Sequence, residues 1–232
     1  MSNYILAEKL SLACRILAAE GHWDLNLGHM SAKIPGGDQI MMKSMGWGLE
    51  EVSPENLVTI DLSGQKIGGS GSVHVEYPIH TEIYKARSDV QAIIHTHPPF
   101  ATVLGCTDKP LLPISHDALI FTHGISIFSL TPKLITAVEQ GQELASSLSD
   151  KAALLIKNHG VVVVGRSIEE ACVRGVLLEK AAYMQYIASQ LGGCSPISPL
   201  MAEEMWREKW SNFHIDHIWE YLVRKVKKIY PL

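Results

Sequence analysis

Apolar residues at Leu6, Leu10, Ala13, Ile16 and Leu17 recur every three or four positions, which predicts a helix over residues 3–21 with Gly21 as its stop. The pattern then shortens to strand-like pieces at 29–34 and 39–43, separated by the Gly36-Gly37 turn. A further strand is expected over Leu57–Asp61, closed by a Ser63-Gly64 hairpin turn. Pro78 suits the first turn of a helix running to about Arg87. The apolar run Val90–Ile94 continues as a strand to His97, and a short helix is expected over Pro99–Leu104. Residues 125–129 read as a strand and 132–148 as a helix opened by Thr131. Strands at 153–157 and 161–164 flank Asn158-His159-Gly160. Ser167 caps the longest predicted helix, to about Leu191, and two more helices follow at 200–213 and 215–229. Helices alternating with short, tightly turned strands predict a mixed, largely antiparallel sheet in a single α/β domain over residues 1–232.

Composition narrows the function classes. Of the 232 residues 47% are apolar, enough for a substantial core. A net charge of −4 gives no electrostatic case for nucleic acid or an acidic membrane as partner. Cys14, Cys106, Cys172 and Cys194 have no CxxC spacing and read as reduced, mostly buried thiols. The first residues carry no signal-peptide pattern, and no apolar stretch approaches the roughly 20 residues that span a bilayer. A cytoplasmic protein acting on a small molecule is the expectation.

The chemistry concentrates in His95-Thr96-His97. Alternate residues of a strand share a face, so two imidazoles can converge there on one metal ion, and Pro98-Pro99 ends the strand at that point. His159 occupies a similar strand end. Three imidazoles with an open position describe a catalytic metal site better than a structural one, which would recruit cysteines. The competing reading is a set of satisfied core histidines. Glu76, at the end of a glycine-rich loop and the start of a helix, is the candidate proton carrier; taken alone it reads first as a helix-start acid favoured by the dipole. Such a pairing suits reactions that build negative charge on an oxygen.

At these residues the chain resembles the class II aldolase/adducin family, which includes fuculose-phosphate aldolases. The anchors are Gly28-His29-Met30-Ser31, Gly46, Ser53–Val58, Glu76 with His80, His95-Thr96-His97-Pro98, Asn158-His159-Gly160 and Glu169-Glu170-Ala171. The resemblance implies that His95, His97 and His159 bind one divalent metal ion per subunit and that Glu76 is the acid/base group; three imidazoles suit zinc first, with manganese or cobalt as alternatives. It also implies a three-layer α/β/α domain and a homotetramer with active sites at subunit interfaces.

The departures from the family pattern bear on substrate. Sugar-phosphate members hold phosphate with small hydroxyl residues and an asparagine. Here those positions are Gly28-His29, Met45-Gly46 and His74-Val75. Phosphate needs several convergent donors, and at least two hydroxyls have become apolar. A substrate without phosphate is therefore expected. His29, Lys43 and His74 offer donors for one or two carboxylates, Gly46 lies in the loop that Trp47 could extend as an apolar wall, and His116-Asp117 adds a further donor pair. This set resembles the family's decarboxylases of hydroxylated aromatic or pyridine carboxylates. A metal-dependent carbon–carbon lyase is the leading reading, with decarboxylation ahead of retro-aldol cleavage. Epimerisation or dehydration at the same site, and a non-catalytic adducin-like module, are the alternatives. Gly68–Ser72 lacks the ending of a nucleotide-binding P-loop, and Trp206, Trp210 and Phe213 read as a packing stripe, with Tyr230 a possible hydroxyl for the site.

Overall fold

A computed structural model describes residues 3–210 and 212–230, without the side chains of Asn212 and Phe213. Eight strands form one sheet in the order β4-β3-β2-β1-β5-β8-β7-β6. They are β1 (His29–Lys33), β2 (Gln39–Lys43), β3 (Leu57–Asp61), β4 (Lys66–Gly68), β5 (Ala92–Thr96), β6 (Ser126–Phe128), β7 (Ala153–Ile156) and β8 (Gly160–Gly165). All neighbours are antiparallel except β6 and β7. The fold is thus the expected α/β class with a mixed, mostly antiparallel sheet.

Seven α-helices among the described residues cover the two faces: α1 (Asn3–Ala19), α2 (Tyr77–Ala86), α3 (Pro99–Gly105), α4 (Val138–Leu148), α5 (Ile168–Gln190), α6 (Pro199–Lys209) and α7 (Asn212–Ile229). Strand alternation sorts the core into two layers. Ala92, Ile94, Val161 and Val163 pack with α1, α3, α5 and α7. Ile93, Val162 and Val164 pack on the other face with Ile79 and Ile83 of α2 and Leu144 and Leu148 of α4. The three-layer α/β/α arrangement follows. Ile215, Trp219, Leu222 and Val226 of α7, spaced four, three and four apart, bury one stripe against α1 and α5 of the same chain. Trp210 packs half-buried beside them and the Trp206 ring lies 4.6 Å from that of His123, whereas the Phe213 side chain is outside the described residues. Tyr230 packs against this same layer, away from the candidate site. No helix among the described residues is long and apolar enough to cross a membrane.

Most expected boundaries hold to within two residues. Ser167 caps α5 by accepting from the Glu170 amide at 3.1 Å. Strand β4 was not anticipated; it completes a hairpin in which Asp61 Oδ1 accepts from the Ser63 and Gln65 amides, at 2.8 and 3.0 Å. The expected helix from 132 starts only at Val138, with Ala137 rather than Thr131 as its N-cap. The Thr136 and Ala137 amides donate to Gln140 Oε1, and the Ile135 amide is committed to Glu76. Of the cysteines, Cys14 and Cys172 are buried, but Cys106 and Cys194 are exposed.

Helix α4 lies so close to α2 that a Cβ on Gly141 would sit 2.6 Å from the Pro78 carbonyl oxygen and 2.8 Å from Glu82 Cγ. Helix propensity alone would make Gly141→Ala stabilising by about 1 kcal/mol. The close approach reverses the sign: a net loss of about 1–3 kcal/mol is expected in urea unfolding. A higher midpoint in the variant would contradict this packing.

Candidate metal centre

The pairing of β1, β5 and β8 assembles the site. His29 stands directly opposite His95, and His95 opposite Val162. His95 and His97 share the α2 face, while Thr96 between them points to the other layer and meets His22 Nδ1 at 2.8 Å. Between β7 and β8 a tight turn places His159, its amide donating to the Ile156 carbonyl at 3.0 Å. Asn158 takes the left-handed φ of 58° that this turn needs. Gly160 is dictated by space, since a Cβ there would lie 2.4 Å from the His97 ring and 2.7 Å from the Thr96 carbonyl oxygen.

His95, His97 and His159 bring ring nitrogens within 4.8 Å of one another, a grouping that could hold a metal. The His97 and His159 rings stack, 5.2 Å apart and 9° from parallel. Their protons are placed by outer contacts. His95 Nδ1 donates to the Val161 carbonyl at 3.0 Å, leaving Nε2 with its lone pair. His97 Nδ1 lies 3.1 Å from Asp24 Oδ1, and its backbone amide donates to Asp24 Oδ2 at 2.8 Å, again freeing Nε2. Gly28 leaves room for that carboxylate, as a Cβ there would sit 2.4 Å from Asp24 Oδ2.

Glu76 is the N-cap of α2 and is buried. One carboxylate oxygen lies 3.7 Å from His95 Nε2 and the other 3.8 Å from His159 Nε2; the second also accepts the Ile135 amide at 2.8 Å. Burial pushes the Glu76 carboxyl up from its ordinary range, opposed by the Ile135 amide and by His97. Burial likewise holds His95 well below the usual imidazole range and His159 at about 4, with His97 adding to both effects. His95 Nε2 is buried with no hydrogen-bond partner. An orphaned lone pair beside a desolvated carboxylate is a donor set that a cation satisfies, so these residues fit a divalent ion.

The groups expected to hold substrate are placed unequally. His74 and Gly46 line a cavity of about 560 Å³ with Asn26, Leu27, Met45, Val75, Glu76, Leu134, His97 and His159. Gly46, with φ of 97°, turns the loop that forms one rim. His29 is fully buried behind the wall, its ring 3.9 Å from that of His74. Lys43 is also fully buried, and its ammonium donates to the carbonyls of Asn26, Ser44 and Trp47. Three acceptors use all three of its protons, so it braces the loop and keeps none for a carboxylate. His116 is exposed in a turn and does not line the cavity, nor does the exposed Trp47. Sequence reasoning missed Asp24, the Ile135 amide and Glu179, whose carboxylate accepts the Phe100 and Ala101 amides at 3.0 and 2.8 Å and fixes the corner after His97.

Residues 8–186 match the Class II Aldolase and Adducin N-terminal domain, and the chain belongs to that family. Metal-dependent lyases, aldolases and decarboxylases, are among its members. In structure it superposes on the L-fuculose 1-phosphate aldolase of Glaciozyma antarctica with a TM-score of 0.87, covering 97% of this chain and 90% of that one at 24% identity. It is 25% identical to the 3,4-dihydroxyphthalate decarboxylase of Arthrobacter keyseri over 80% of this chain and 79% of the relative. It is also 32% identical, over 63% of its length, to a 4-hydroxy-3-prenylphenylpyruvate oxygenase/4-hydroxy-3-prenylbenzoate synthase of Streptomyces roseochromogenus. The chain covers 53% of that relative, about half its length.

Two outcomes follow from this geometry. His22 and His74 are held at about 4 and His80 at about 3, chiefly by burial. With folded values depressed, the unfolded chain binds more protons below the ordinary value near 6.5. Stability of metal-free protein is therefore full above that value and falls as pH drops from there toward 4. Each such imidazole adds up to about 1.4 kcal/mol per pH unit to the slope. Urea midpoints that stay level from pH 7 to 4.5 would contradict the buried neutral rings. Separately, Gly160→Ala is expected to cost about 1–3 kcal/mol and to weaken zinc binding by calorimetry. Gly37→Ala, where a Cβ meets nothing within 4 Å, serves as the control.

Proposed function

We propose that this chain is a metal-dependent carbon–carbon lyase in which His95, His97 and His159 hold one divalent ion and Glu76 moves the proton. Zinc is the first choice of ion for three imidazoles, with manganese or cobalt as alternatives. The observation that carries the reading is Glu76: a buried carboxyl with raised proton affinity, between two imidazoles, at the wall of a cavity sized for a small molecule. A bound ion supplies Lewis acidity to a substrate oxygen that gains negative charge.

The substrate is a small hydroxy or oxo carboxylate without phosphate. Leu27, Met45, Val75 and Leu134 make the cavity wall apolar where a phosphate would need converging donors, and Asn26, His97 and His159 make its polar side. Decarboxylation is the favoured outcome. The bond to the carboxylate carbon breaks, carbon dioxide leaves, and the electron pair left on the neighbouring carbon takes a proton from the Glu76 carboxyl. A buried carboxyl with raised proton affinity suits that delivery. The decarboxylase named for the Arthrobacter relative supports this reading. Retro-aldol cleavage, favoured by the aldolase named for the structural neighbour, is the second reading. The active assembly is a homotetramer with sites at subunit interfaces, and the protein is cytoplasmic.

The test is paired. Hydroxylated aromatic, pyridine and aliphatic carboxylates are screened for carbon dioxide release, and a sugar-phosphate panel for aldehyde release. Carbon dioxide evolution abolished by chelation is expected. Glu76→Gln is expected to leave zinc stoichiometry intact and to lower turnover roughly 10²–10⁴-fold. Near wild-type turnover in that variant would sink the role of Glu76, and faster turnover of a sugar phosphate than of its dephosphorylated form would sink the substrate class.

A further inference from the structure

Strand β5 runs out before the second of the proposed ligands. On its β1 side the last paired residue is His95, opposite His29, and on its β8 side it is Thr96, opposite Val161. His97 lies beyond both. What holds the end of β5 instead is the connection between α1 and β1. Gly21, with φ of 102°, ends the helix turn, and burial then alternates: His22 and Asp24 are buried, Trp23 and Leu25 exposed. Gly28 closes the segment where a Cβ would lie 2.4 Å from Asp24 Oδ2 and 3.0 Å from Thr96 Cγ2.

Asp24 does for His97 what a paired strand would do, accepting its backbone amide at 2.8 Å. His22 does the corresponding work for Thr96. Its Nδ1 lies 2.8 Å from Thr96 Oγ1, and its Nε2 lies 3.3 Å from the Gly175 carbonyl oxygen, midway along α5. A carbonyl only accepts, so the ring proton belongs on Nε2 and the Thr96 hydroxyl donates to Nδ1. His22 and Thr96 are both fully buried, so water replaces neither bond when it is lost. A strut therefore runs from α5 through His22 to the one residue between two proposed ligands. It stands on the face of the sheet opposite the ion site. His22 hydrogen-bonds to neither ligand and does not line the cavity.

We propose that His22 is a positioning residue for the metal centre: by gripping Thr96 from behind the sheet it fixes the direction in which His95 and His97 leave β5. The three imidazoles come from two separate places. His159 is set by its own turn between β7 and β8, through the Ile156 carbonyl. His95 and His97 sit on either side of Thr96, so a rotation of the strand there carries both rings relative to His159. Past His95 the β1 ladder offers no resistance to that rotation, and the Asp24 carboxylate and the His22 ring supply it. Metal affinity depends on how ligands are aimed, and losing an outer partner costs roughly 10–100-fold. The proposal rests on the proposed function only in assigning the ion to His95, His97 and His159.

The test separates the grip on Thr96 from the filling of a buried space. His22→Asn keeps an acceptor near the Nδ1 position and loses Gly175, whereas His22→Gln keeps a donor near the Nε2 position and loses Thr96. His22→Phe loses both bonds, and Thr96→Val removes the hydroxyl with little change of shape. Zinc affinity of the full-length chain is measured by chelator competition, beside urea unfolding of the metal-free protein. The zinc Kd is expected to rise about tenfold in His22→Gln, His22→Phe and Thr96→Val and to stay near wild type in His22→Asn. The double variant of His22→Phe and Thr96→Val is expected to lose no more than either alone. A Kd within twofold of wild type in both His22→Phe and Thr96→Val would overturn the proposal, as would a loss in His22→Asn equal to that in His22→Phe. A second readout needs no metal: hydrogen exchange of the His97 amide is expected to quicken in Thr96→Val and His22→Gln and not in His22→Asn. If the wild type binds no zinc, faster exchange in those two variants supports the strut and counts against the proposed function, and unchanged exchange overturns the strut itself.

Discussion

The register of the β1–β5–β8 pairing is the constraint on which the rest of the structure depends. It sets His29 against His95 and puts both on the face covered by α2. Because side chains alternate, a slip of one residue would turn His95 and His97 toward α1 and α5 and bring Thr96 to the cavity. The register is held by what surrounds the histidines. Ile93 and Val162 must reach the α2–α4 layer, while Ile94, Val161 and Val163 must reach the other. Burial on both faces leaves the strands no tolerance for a shift. The hydrophobic core thus aligns the imidazoles without touching the chemistry.

How much of this was legible in the sequence varied with range. The His-x-His spacing, the turn at Asn158 and the Ser167 cap are local, and each settles its own geometry. Glu76 was legible from its place at a helix start. Lys43 was misread because its charge is satisfied by the Asn26, Ser44 and Trp47 carbonyls, and carbonyls carry no sequence signal. His116 was misread because a polar pair in a loop looks alike whether the loop faces the cavity or water. Asp24 reaches His97 across 73 positions of chain, with nothing nearby in sequence to mark it. The segment 131–137 failed as a helix for a related reason. Its Ile135 amide bonds Glu76 rather than a preceding carbonyl, so a tertiary contact overrides local propensity.

Electrostatically the site is unusual in how little charge it carries. Around Glu76 the buried rings of His29, His80 and His95 sit where burial disfavours the protonated form. Neutral rings in close contact avoid the repulsion that cations at these separations would suffer, and each remains able to donate on one side and accept on the other. The arrangement concentrates polarity with little charge beside Glu76, while the buried Lys43 ammonium is held by the Asn26, Ser44 and Trp47 carbonyls and the Asp24 carboxylate by His97.

The hydrogen bond from Ile135 to Glu76 also ties the acid to the cavity wall. The residue proposed to carry the proton is the same one that anchors the 131–137 crossover, and Leu134, next to that anchor, forms part of the cavity wall. A carboxylate accepts an amide proton more strongly than a neutral carboxyl does. The grip on the crossover therefore tightens when Glu76 gives up its proton and slackens when it regains one. The hold on the segment that carries Leu134, a residue of the cavity wall, is in that sense coupled to the protonation state of Glu76.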